Sequence, residues 1–382
     1  MLGRRNFLLS ALAQGLVVLP NVALARIETD RRLVIIVLRG ALDGLHVVVP
    51  YGERAYHVAR RQLALGAGRD SATLKLDGLF ALHGALTHTA RLYARGDALF
   101  VHAVASAYRG RSHFDAQNIL ESGGALPYIR RDGWLARLLL LLRSGDGLVV
   151  TPSVPLLLRG TRDIATYVPS RGDPPSEDLL ERVMTLYAED EVLRKLWLDA
   201  LEIRGMAGDA ESDGRRLSQL ASIVGHFLSR QDGPRVAVLE SHGWDTHTNQ
   251  LIRLERKLGS LDAAIAELEA ALGATWRQSL VLLITEFGRT VAANGTGGTD
   301  HGTASALLMA GGGVRGGRVV ADWPGLSAAA LHQGRDLKPT TDMHAMLTSL
   351  LSEFFALDPG LIAREVFPDL PARPSWSGLV RS

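Results

Sequence analysis

Carboxylate and imidazole side chains recur in four loop-like segments of this 382-residue sequence, each close to an apolar run. Oxygen and nitrogen donors of this kind are ligands for Zn²⁺, Mn²⁺ and related divalent ions. If the four segments meet in the fold, they can enclose one or two such ions. The candidate metal ligands are Asp43, Asp245, His247, Glu286, Asp300 and His301.

Most of these candidates also have an ordinary structural interpretation. The Asp-Gly pair at 43–44 suits a turn, and the Asp-x-His at 245–247 suits a helix cap followed by a surface histidine. The Asp-His pair at 300–301 lies in a glycine-rich loop that also suits a plain turn. Glu286 differs, because it ends an apolar run where an unpaired carboxylate is costly to bury.

The segment "YRGRSHFDAQNILESGG", residues 108–124, indicates a second kind of chemistry. Ser112 stands at the start of a helical pattern, where a hydroxyl is either an N-cap or a nucleophile. Cations opposite it would lower the pKa of that hydroxyl. His113 is either a general acid, and so a candidate catalytic residue, or a polar residue of the first helical turn. Arg109 and Arg111 lie close by and are predicted to bind substrate.

Apolar runs typical of buried strands alternate with amphipathic helical patterns along the chain. The strand-like runs are residues 33–38, 97–105, 233–240 and 279–286. The alternation predicts an α/β fold with a mostly parallel central sheet covered on both faces. Ligands bind beyond the carboxyl ends of the strands in such a sheet, so the candidate residues are expected to meet at that edge.

Two segments stand apart from this alternation. Residues 1–25 contain Arg4 and Arg5, an apolar stretch and a small-residue ending, which predicts a twin-arginine (Tat) signal peptide. A membrane anchor is the alternative, and the stretch is short for a span. Residues 26–382 are predicted to form one α/β domain, with a charged, helical insertion at about 171–232.

Charge and composition narrow the classes of function. Removing residues 1–25 lowers the formal net charge from +2 to 0, so there is no electrostatic case for binding nucleic acid. The sequence contains no cysteine, which excludes disulfides and thiolate metal sites. The donors available for a metal are therefore carboxylates and imidazoles.

Five segments, in order along the chain, resemble the DUF1501 family of exported proteins, within the alkaline phosphatase-like superfamily. They are "LRGALDGL", "RSHFDAQNILESG", "GWLAR", "HGWDTHTNQ" and "TEFGRTVAANGTGGTDHG". The resemblance implies a three-layer α/β/α sandwich with two metals at the carboxyl edge of its sheet. It also implies hydrolysis or transfer of phosphate and sulfate esters, with Ser112 as the nucleophile. The implied metal ligands are Asp43, Asp245, His247, Glu286 and His301, with Asp300 beside the last.

The sequence departs from the superfamily pattern at two points. Phe287 follows Glu286 where the superfamily usually keeps a histidine, so one imidazole ligand is missing. The aspartate and histidine at 245–247 are two positions apart rather than the usual four. Arg289, a predicted catalytic residue, either fills the space of one metal or binds the anionic group of the substrate. Asn294 of the same loop is a predicted substrate-binding residue.

We therefore expect a bacterial, Tat-exported, periplasmic or secreted hydrolase of phosphate (or sulfate) esters. It would use one or two divalent ions, zinc or manganese, with Ser112 or metal-bound hydroxide as nucleophile. The alternatives are a non-catalytic protein of the same fold that binds an anionic glycan or an envelope partner, and a purely structural exported protein. The expected partners are a small-molecule or glycan ester and, during export, the Tat translocase. Nucleic acid is not expected, and membrane contact is expected only through an uncleaved leader.

Overall fold

A computed structural model describes residues 28–66, 73–142, 147–150, 153–161, 164–166, 213–371 and 376–381. The predicted signal peptide lies outside these residues. Among the described residues, no helix combines the length and the apolar character that crossing a bilayer requires. The helices are α1 (Gly44–Val47), α2 (Arg54–Arg60), α3 (Thr87–Ala94), α4 (His113–Ser122), α5 (Trp134–Leu141), α6 (Asp213–Ser229), α7 (Gln250–Leu272), α8 (Met343–Phe355) and α9 (Pro359–Glu365).

A large sheet forms the centre of the molecule, and a small antiparallel sheet of β2, β4 and β3 lies beside it. The strand order of the large sheet is β11-β5-β10-β9-β1-β8-β6-β7, and β12 pairs with β5. The strands are β1 (Arg32–Leu38), β2 (Val48–Val49), β3 (Thr73–Lys75), β4 (Ala81–His83), β5 (Ala98–Ala105), β6 (Gly147–Val149), β7 (Ile164–Thr166), β8 (Val236–Ser241), β9 (Ser279–Ile284), β10 (Ser305–Ala310), β11 (Arg318–Val320) and β12 (Thr341–Asp342).

The sheet is mostly parallel, as the alternation of strands and helices predicts. β1 pairs in parallel with β8 on one side and with β9 on the other, and β8, β6 and β7 continue the parallel run. β10 is the exception, because it runs antiparallel to both β9 and β5. The α/β prediction and the largely parallel sheet are confirmed.

The central strand β1 shows how the three layers are built. All seven of its residues are buried, and successive side chains point to opposite faces of the sheet. Val34, Ile36 and Leu38 pack into one core with residues of α6 and α7. Leu33, Ile35 and Val37 pack into a second core with residues of α5 and α8. Helices cover both faces of β1, so the sequence of this strand is a nearly continuous apolar run.

The predicted helical insertion falls partly outside the described residues. Residues 167–212 are among those that the structure does not describe, so the insertion at about 171–232 stays a prediction there. The last part of the segment forms α6, and its side chains Ile223, Val224 and Leu228 are fully or almost fully buried in the core beneath the sheet. This helix packs along α7 and belongs to the outer layer of the sandwich.

Three buried histidines predict a loss of stability in mild acid. Burial is the main cause that lowers the pKa of His46 to about 3 and the pKa values of His83 and His102 to about 4. Below pH 6.5 the unfolded chain binds these protons, while the folded chain does not until the pH falls to the lowered values. Their stabilising contribution is therefore complete above pH 6.5 and is lost as the pH falls towards 4.

We expect the free energy of unfolding to fall between pH 6.5 and pH 5 by about 2 kcal/mol for each such histidine. Urea denaturation at several pH values measures this slope. His46→Leu should flatten it, because both ring nitrogens of His46 are buried without a hydrogen-bond partner in the described structure. The exposed His57 provides the control variant His57→Leu. An unchanged slope in His46→Leu would contradict the prediction.

Candidate metal centre

Five segments of the chain meet at the carboxyl edge of the sheet. The loops that leave β1, β8 and β9 start there because these three strands are parallel neighbours. β5 runs in the same direction as β9, since both are antiparallel to β10, so the segment that follows β5 and begins α4 also reaches this edge. The residues just before β10 arrive there too, because β10 runs the opposite way.

Three side chains from three of these segments form a group that could hold a metal ion. Ligand atoms of His113, Asp245 and His301 all lie within 4.8 Å of one another. His113 is the first residue of α4, Asp245 follows β8, and His301 precedes β10. The sequence prediction placed Asp245 and His301 among the ligands but treated His113 as a catalytic residue.

His301 lies at the centre of three imidazoles. Its Nε2 atom is 3.0 Å from Nε2 of His113 and 3.1 Å from Nε2 of His247. The three rings come from α4, from the loop after β8 and from the loop before β10, so only the tertiary fold brings them together. All three offer the same ring nitrogen to a common volume.

The other ring nitrogen of each histidine faces an acceptor. Nδ1 of His113 is 2.8 Å from Oε1 of Glu286, and Nδ1 of His247 is 3.1 Å from Oδ1 of Asp300. Nδ1 of His301 is 3.1 Å from the backbone oxygen of Arg111. A carbonyl or an ionised carboxylate can only accept, so each Nδ1 carries a proton and donates it. In the neutral rings the Nε2 lone pair of His301 then faces those of His113 and His247.

The carboxylate of Asp245 completes this group. Its Oδ1 atom is 3.0 Å from Nε2 of His247 and 3.4 Å from Nε2 of His301, and its Oδ2 atom is 3.6 Å from Nε2 of His113. Nη1 of the buried Arg289 donates to Oδ1 at 2.5 Å. Burial would raise the pKa of Asp245, but the hydrogen bond and charge of Arg289 hold it below the ordinary value. The carboxylate is therefore ionised at neutral pH.

Glu286 lies behind His113 and is surrounded by hydrogen-bond donors. Its Oε1 atom accepts from the backbone N–H of Gly40 at 2.9 Å and from Nε2 of Gln117 at 3.1 Å, in addition to His113. Oε2 accepts from the hydroxyl of Thr285 at 3.0 Å. Burial would raise the pKa of Glu286, but these donors, led by His113, hold it below its usual range. The buried carboxylate is ionised and orients the ring of His113.

The surroundings push the pKa values of two neighbouring imidazoles apart. The hydrogen bond to Glu286 raises the pKa of His113 above its ordinary value. Burial lowers the pKa of His301, and the charges of His113 and Arg289 lower it further. In the ion-free protein His113 is therefore the first of this pair to take up a proton, and an incoming cation must displace that proton.

Asp43, the implied first metal ligand, is fully engaged by protein donors. The buried Arg60 of α2 forms an ion pair with it through both terminal nitrogens, Nη2 at 2.9 Å from Oδ1. Nε2 of Gln250 donates to Oδ2 at 2.6 Å. Burial would raise the pKa of Asp43, but the guanidinium of Arg60 holds it well below the ordinary value. A guanidinium thus occupies the position beside Asp43 where a second cation would be expected.

A buried chain of hydrogen bonds joins this ion pair to the metal centre. Oε1 of Gln250 accepts from the hydroxyl of Thr299 at 2.7 Å, and Nε of Arg289 donates to that hydroxyl oxygen at 3.2 Å. Arg289 in turn holds Asp245. The two aspartates at this edge are therefore each paired with an arginine and are linked through one polar network. Sequence reasoning missed Arg60 and Gln250, because nothing in their local sequence marks them.

Four other predicted site residues have well-defined places around the centre. Ser112 is the N-cap of α4, and its hydroxyl accepts from the backbone N–H of Asp115 at 3.5 Å. The guanidinium of Arg111 pairs with Asp336 at 2.7 Å, while that of Arg109 donates to the backbone oxygen of Tyr108 at 2.7 Å. Asn294 donates to the backbone oxygen of His247 at 2.9 Å and to Asp300.

The loop between β9 and β10 folds back on itself beneath the histidines. Its two arms pair where Arg289 and His301 form an antiparallel bridge. A Cβ atom on Gly298 would lie 2.3 Å from the carbonyl of His247, and one on Gly302 would lie 2.3 Å from the backbone of Arg289. Glycine at these two positions lets backbone pack directly on backbone, which sets the place of His247 and His301.

Phe287 forms an apolar wall under the centre. It is 5% exposed, and its ring centroid is 4.9 Å from that of His113 and 5.3 Å from that of His301. His113 therefore brings an imidazole from α4 to the side of Phe287. The "RSHFD" segment was visible in the sequence, but its spacing could not show which of its side chains would face the candidate centre.

Comparison with known proteins adds a family to this geometry. The family model described as "Protein of unknown function (DUF1501)" matches residues 178–367, which contain the loops after β8 and β9 and the start of β10. The chain is thus similar to the DUF1501 family over about half of its length. The match includes Asp245, His247, Glu286 and His301 and lies C-terminal to His113. No curated protein sequence matches this chain.

Solved structures that are similar to this chain have low sequence identity to it. A protein in the alkaline phosphatase superfamily from Vibrio parahaemolyticus is 12% identical, with a TM-score of 0.42, covering 91% of this chain and 71% of that one. Ps i-CgsB in complex with k-i-k-neocarrahexaose is 9% identical, with a TM-score of 0.45, covering 86% and 73%. The phosphonate monoester hydrolase of Agrobacterium radiobacter is 13% identical, with a TM-score of 0.32, covering 78% and 72%.

Proposed function

We propose that the chain is a metal-dependent hydrolase of phosphate (or sulfate) esters, with one divalent cation held by His113, Asp245, His247 and His301. One observation carries the proposal. Each of the three imidazoles donates its Nδ1 proton to an acceptor, so three Nε2 lone pairs converge. Metal-ligating histidines almost always have such an acceptor on the second nitrogen.

A single proton cannot satisfy this arrangement. If His113 is protonated, its Nε2 proton can be donated to His301 across 3.0 Å. The lone pair of His301 is then used, and Nε2 of His247, 3.1 Å from it and 3.0 Å from Oδ1 of Asp245, needs a second proton to donate to that carboxylate. One divalent cation accepts all three lone pairs and the carboxylate of Asp245. Three imidazoles and one carboxylate suit zinc or manganese.

When bound, such a cation would polarise an ester oxygen and lower the pKa of water in the site. The protein's own residues supply the rest. Glu286 and Asp300 hold the rings of His113 and His247, and Arg289 offsets the charge of Asp245. Phe287 keeps one side of the centre apolar. Ser112, the N-cap of α4, directly precedes His113. It stays a candidate nucleophile, with water as the alternative.

A binding function without catalysis is the second candidate. It is favoured by the pairing of Asp43 with Arg60, which leaves this aspartate without free oxygen atoms for a second cation. A protein that kept one cation and an anion-binding pocket would suit an anionic glycan or an envelope partner. Export through the Tat route, proposed from residues 1–25, fits either candidate.

The proposal is tested on the full chain, purified with its leader and loaded with zinc or manganese. We expect close to one bound ion per chain and hydrolysis of nitrophenyl phosphate, bis-nitrophenyl phosphate or nitrophenyl sulfate. Hydrolysis unaffected by Ser112→Ala would exclude the serine as nucleophile. A bound ion without turnover of any of the three esters would favour the binding function, and the absence of a bound ion would contradict both.

Glu286→Gln tests the orienting role of the buried carboxylate. The substitution keeps the shape of the side chain but removes the charge that raises the pKa of His113 and fixes its ring. Loss of such a partner typically costs 10- to 100-fold, so we expect metal affinity or activity to fall by about that factor. The exposed Glu267 on α7 provides the control Glu267→Gln. Wild-type metal affinity and activity in Glu286→Gln would show that the carboxylate does not support the centre.

A further inference from the structure

Three polar side chains lie along one side of α4, about one turn apart. They are His113, Gln117 and Glu121, at positions i, i+4 and i+8 of the helix. His113 is the proposed ligand in the first turn, and Glu121 is buried near the end of the helix. This side of α4 therefore faces the interior of the protein.

Arg39 contacts two of these side chains from the end of β1. Its Nη2 atom lies 2.8 Å from Oε1 of Glu121 and also pairs with Oε1 of Glu240, in β8. Its Nη1 atom donates to Oε1 of Gln117 at 3.3 Å. One guanidinium therefore ties α4 to the carboxyl ends of two parallel neighbours, β1 and β8.

The amide of Gln117 lies between a group that only donates and a group that only accepts. Its oxygen accepts from Arg39, and its Nε2 atom donates to Oε1 of Glu286 at 3.1 Å. A guanidinium has no acceptor, and an ionised carboxylate has no donor. Turning the amide over would break both hydrogen bonds. Arg39 therefore fixes the orientation in which Gln117 presents its donor to Glu286.

This chain of contacts ends at a proposed metal ligand. The same Oε1 atom of Glu286 accepts from Nδ1 of His113 at 2.8 Å. Arg39, Gln117, Glu286 and His113 thus form one continuous series of hydrogen bonds from the sheet to the centre. Groups behind a ligating histidine set the direction of its ring, so the place of Glu286 matters for the ion.

The ion pairs of Arg39 are better suited to fixing a position than to adding stability. The side chains of Arg39, Glu121 and Glu240 are 15%, 7% and 13% exposed. Desolvation offsets most of the attraction within such a buried triad, so its net contribution to stability is small. The planar fork of a guanidinium, however, holds several oxygen atoms in one fixed arrangement.

We propose that Arg39 and Gln117 are positioning residues of the metal centre. Arg39 orients the amide of Gln117, and Gln117 holds Glu286 in the place from which it orients His113. This inference rests on the proposed function, because it assigns residues that support the same centre. The contacts themselves are made without an ion, so they are also testable in the ion-free protein.

The first test measures zinc affinity by calorimetry on the full chain. Gln117→Met removes the donor to Glu286 and leaves Arg39 paired with both of its glutamates. We expect zinc affinity to fall by about 3- to 10-fold, which corresponds to the net contribution of one hydrogen bond. Arg39→Met should cause a loss of similar size. The double variant should lose little more than either single variant, because both act through Glu286.

The matched control is Arg130→Met. Arg130 also pairs with two carboxylates, those of Asp132 and Asp369. This variant should bind zinc as the wild type does, and circular dichroism verifies that each variant is folded. If Arg39→Met does not fold, Gln117→Met decides the test, since it leaves no carboxylate without its arginine.

The second test uses amide hydrogen exchange in the ion-free protein. The backbone N–H of Gly40 donates to Oε1 of Glu286 at 2.9 Å, so its exchange reports on the place of that carboxylate. Gln117→Met should speed this exchange by about 3-fold or more. The N–H of Gly133, which donates to the backbone oxygen of Arg159 at 2.9 Å, is the reference and should keep its rate.

The two tests separate this inference from the proposed function. Wild-type zinc affinity in Gln117→Met, or losses that add in full in the double variant, would overturn the inference and leave the metal centre standing. If the wild-type chain binds no zinc, the proposed function fails. The exchange of Gly40 then decides alone: a faster rate in Gln117→Met supports the positioning of Glu286, and an unchanged rate contradicts it.

Discussion

Replacing His301 with alanine is expected to abolish tight binding of a divalent cation. Its Nε2 atom lies between those of His113 and His247, at 3.0 and 3.1 Å. The loss should exceed the roughly 10- to 100-fold that removal of an outer partner of a metal ligand costs. We expect the bound metal to fall from about one ion per chain to a small fraction of that after dialysis against micromolar zinc or manganese.

Metal content measured by mass spectrometry, together with calorimetric titration, checks this prediction. The exposed His226 of α6 supplies the control His226→Ala, which should bind the ion as the wild type does. His301 is 27% exposed at its side chain, so its truncation should leave the fold intact, and circular dichroism verifies that. Wild-type stoichiometry and affinity in His301→Ala would place the ion elsewhere and remove the basis of the proposed centre.

Replacing Arg60 with methionine is expected to destabilise the fold severely. Arg60 and Asp43 are 0% and 1% exposed, and the guanidinium meets both oxygens of the carboxylate. Removal of one partner of a buried ion pair leaves an uncompensated charge and typically costs 3–5 kcal/mol, so we expect a loss of about that size. If Asp43 were free to ligate a cation, a bound ion would offset the loss.

Urea denaturation with and without added metal separates these two cases. The double variant Asp43→Asn with Arg60→Met should recover much of the stability, because no charge is then buried alone. Arg253→Met, at an exposed arginine of α7, is the control and should be close to the wild type. Wild-type stability of Arg60→Met in metal, together with a second bound ion, would make Asp43 a ligand after all.

The architecture could be predicted from the sequence because the buried strands carry an unmistakable pattern. The predicted runs at 33–38 and 279–286 correspond to β1 and β9, whose residues are all buried. One helix start was also readable, since Ser112, which stands at the start of a helical pattern in the sequence, caps α4 through its side chain. The antiparallel direction of β10 was not readable, because an apolar run looks the same in either direction.

The sequence indicated which segments form the candidate site, but not which of their residues contact one another. Asp245 and His301, two of the predicted ligands, lie with His113 in a group that could hold a metal, and His113 comes from a segment interpreted as catalytic. Glu286 was recognised as a buried carboxylate, but its partner His113 is far away in sequence. The pairing of Asp43 with Arg60 depends on how α2 packs, and local sequence carries no record of that. Only distances in the folded structure show which residues could bind a metal and which residues pair with those.

Phe287 shows how a mismatch with a superfamily pattern can mislead. Taken alone, its position argued that one imidazole ligand was missing. The structure has three imidazoles at the centre, one of which packs against Phe287 itself. Three imidazoles can therefore come together in this fold without a histidine at position 287. The positions of the histidines in the fold show this, whereas the residue type at position 287 alone does not.

The antiparallel strand β10 has a consequence for how this site can vary. Because β10 turns back directly beside β9, the connecting chain begins and ends at the same edge of the sheet. It needs no crossover helix, and it supplies Glu286, Arg289 and His301 to the candidate centre. The connection can therefore be lengthened, shortened or exchanged as one piece without altering the register of any strand. Residues inserted between Arg289 and His301 would thus reshape the surroundings of the centre while the strands keep their pairing.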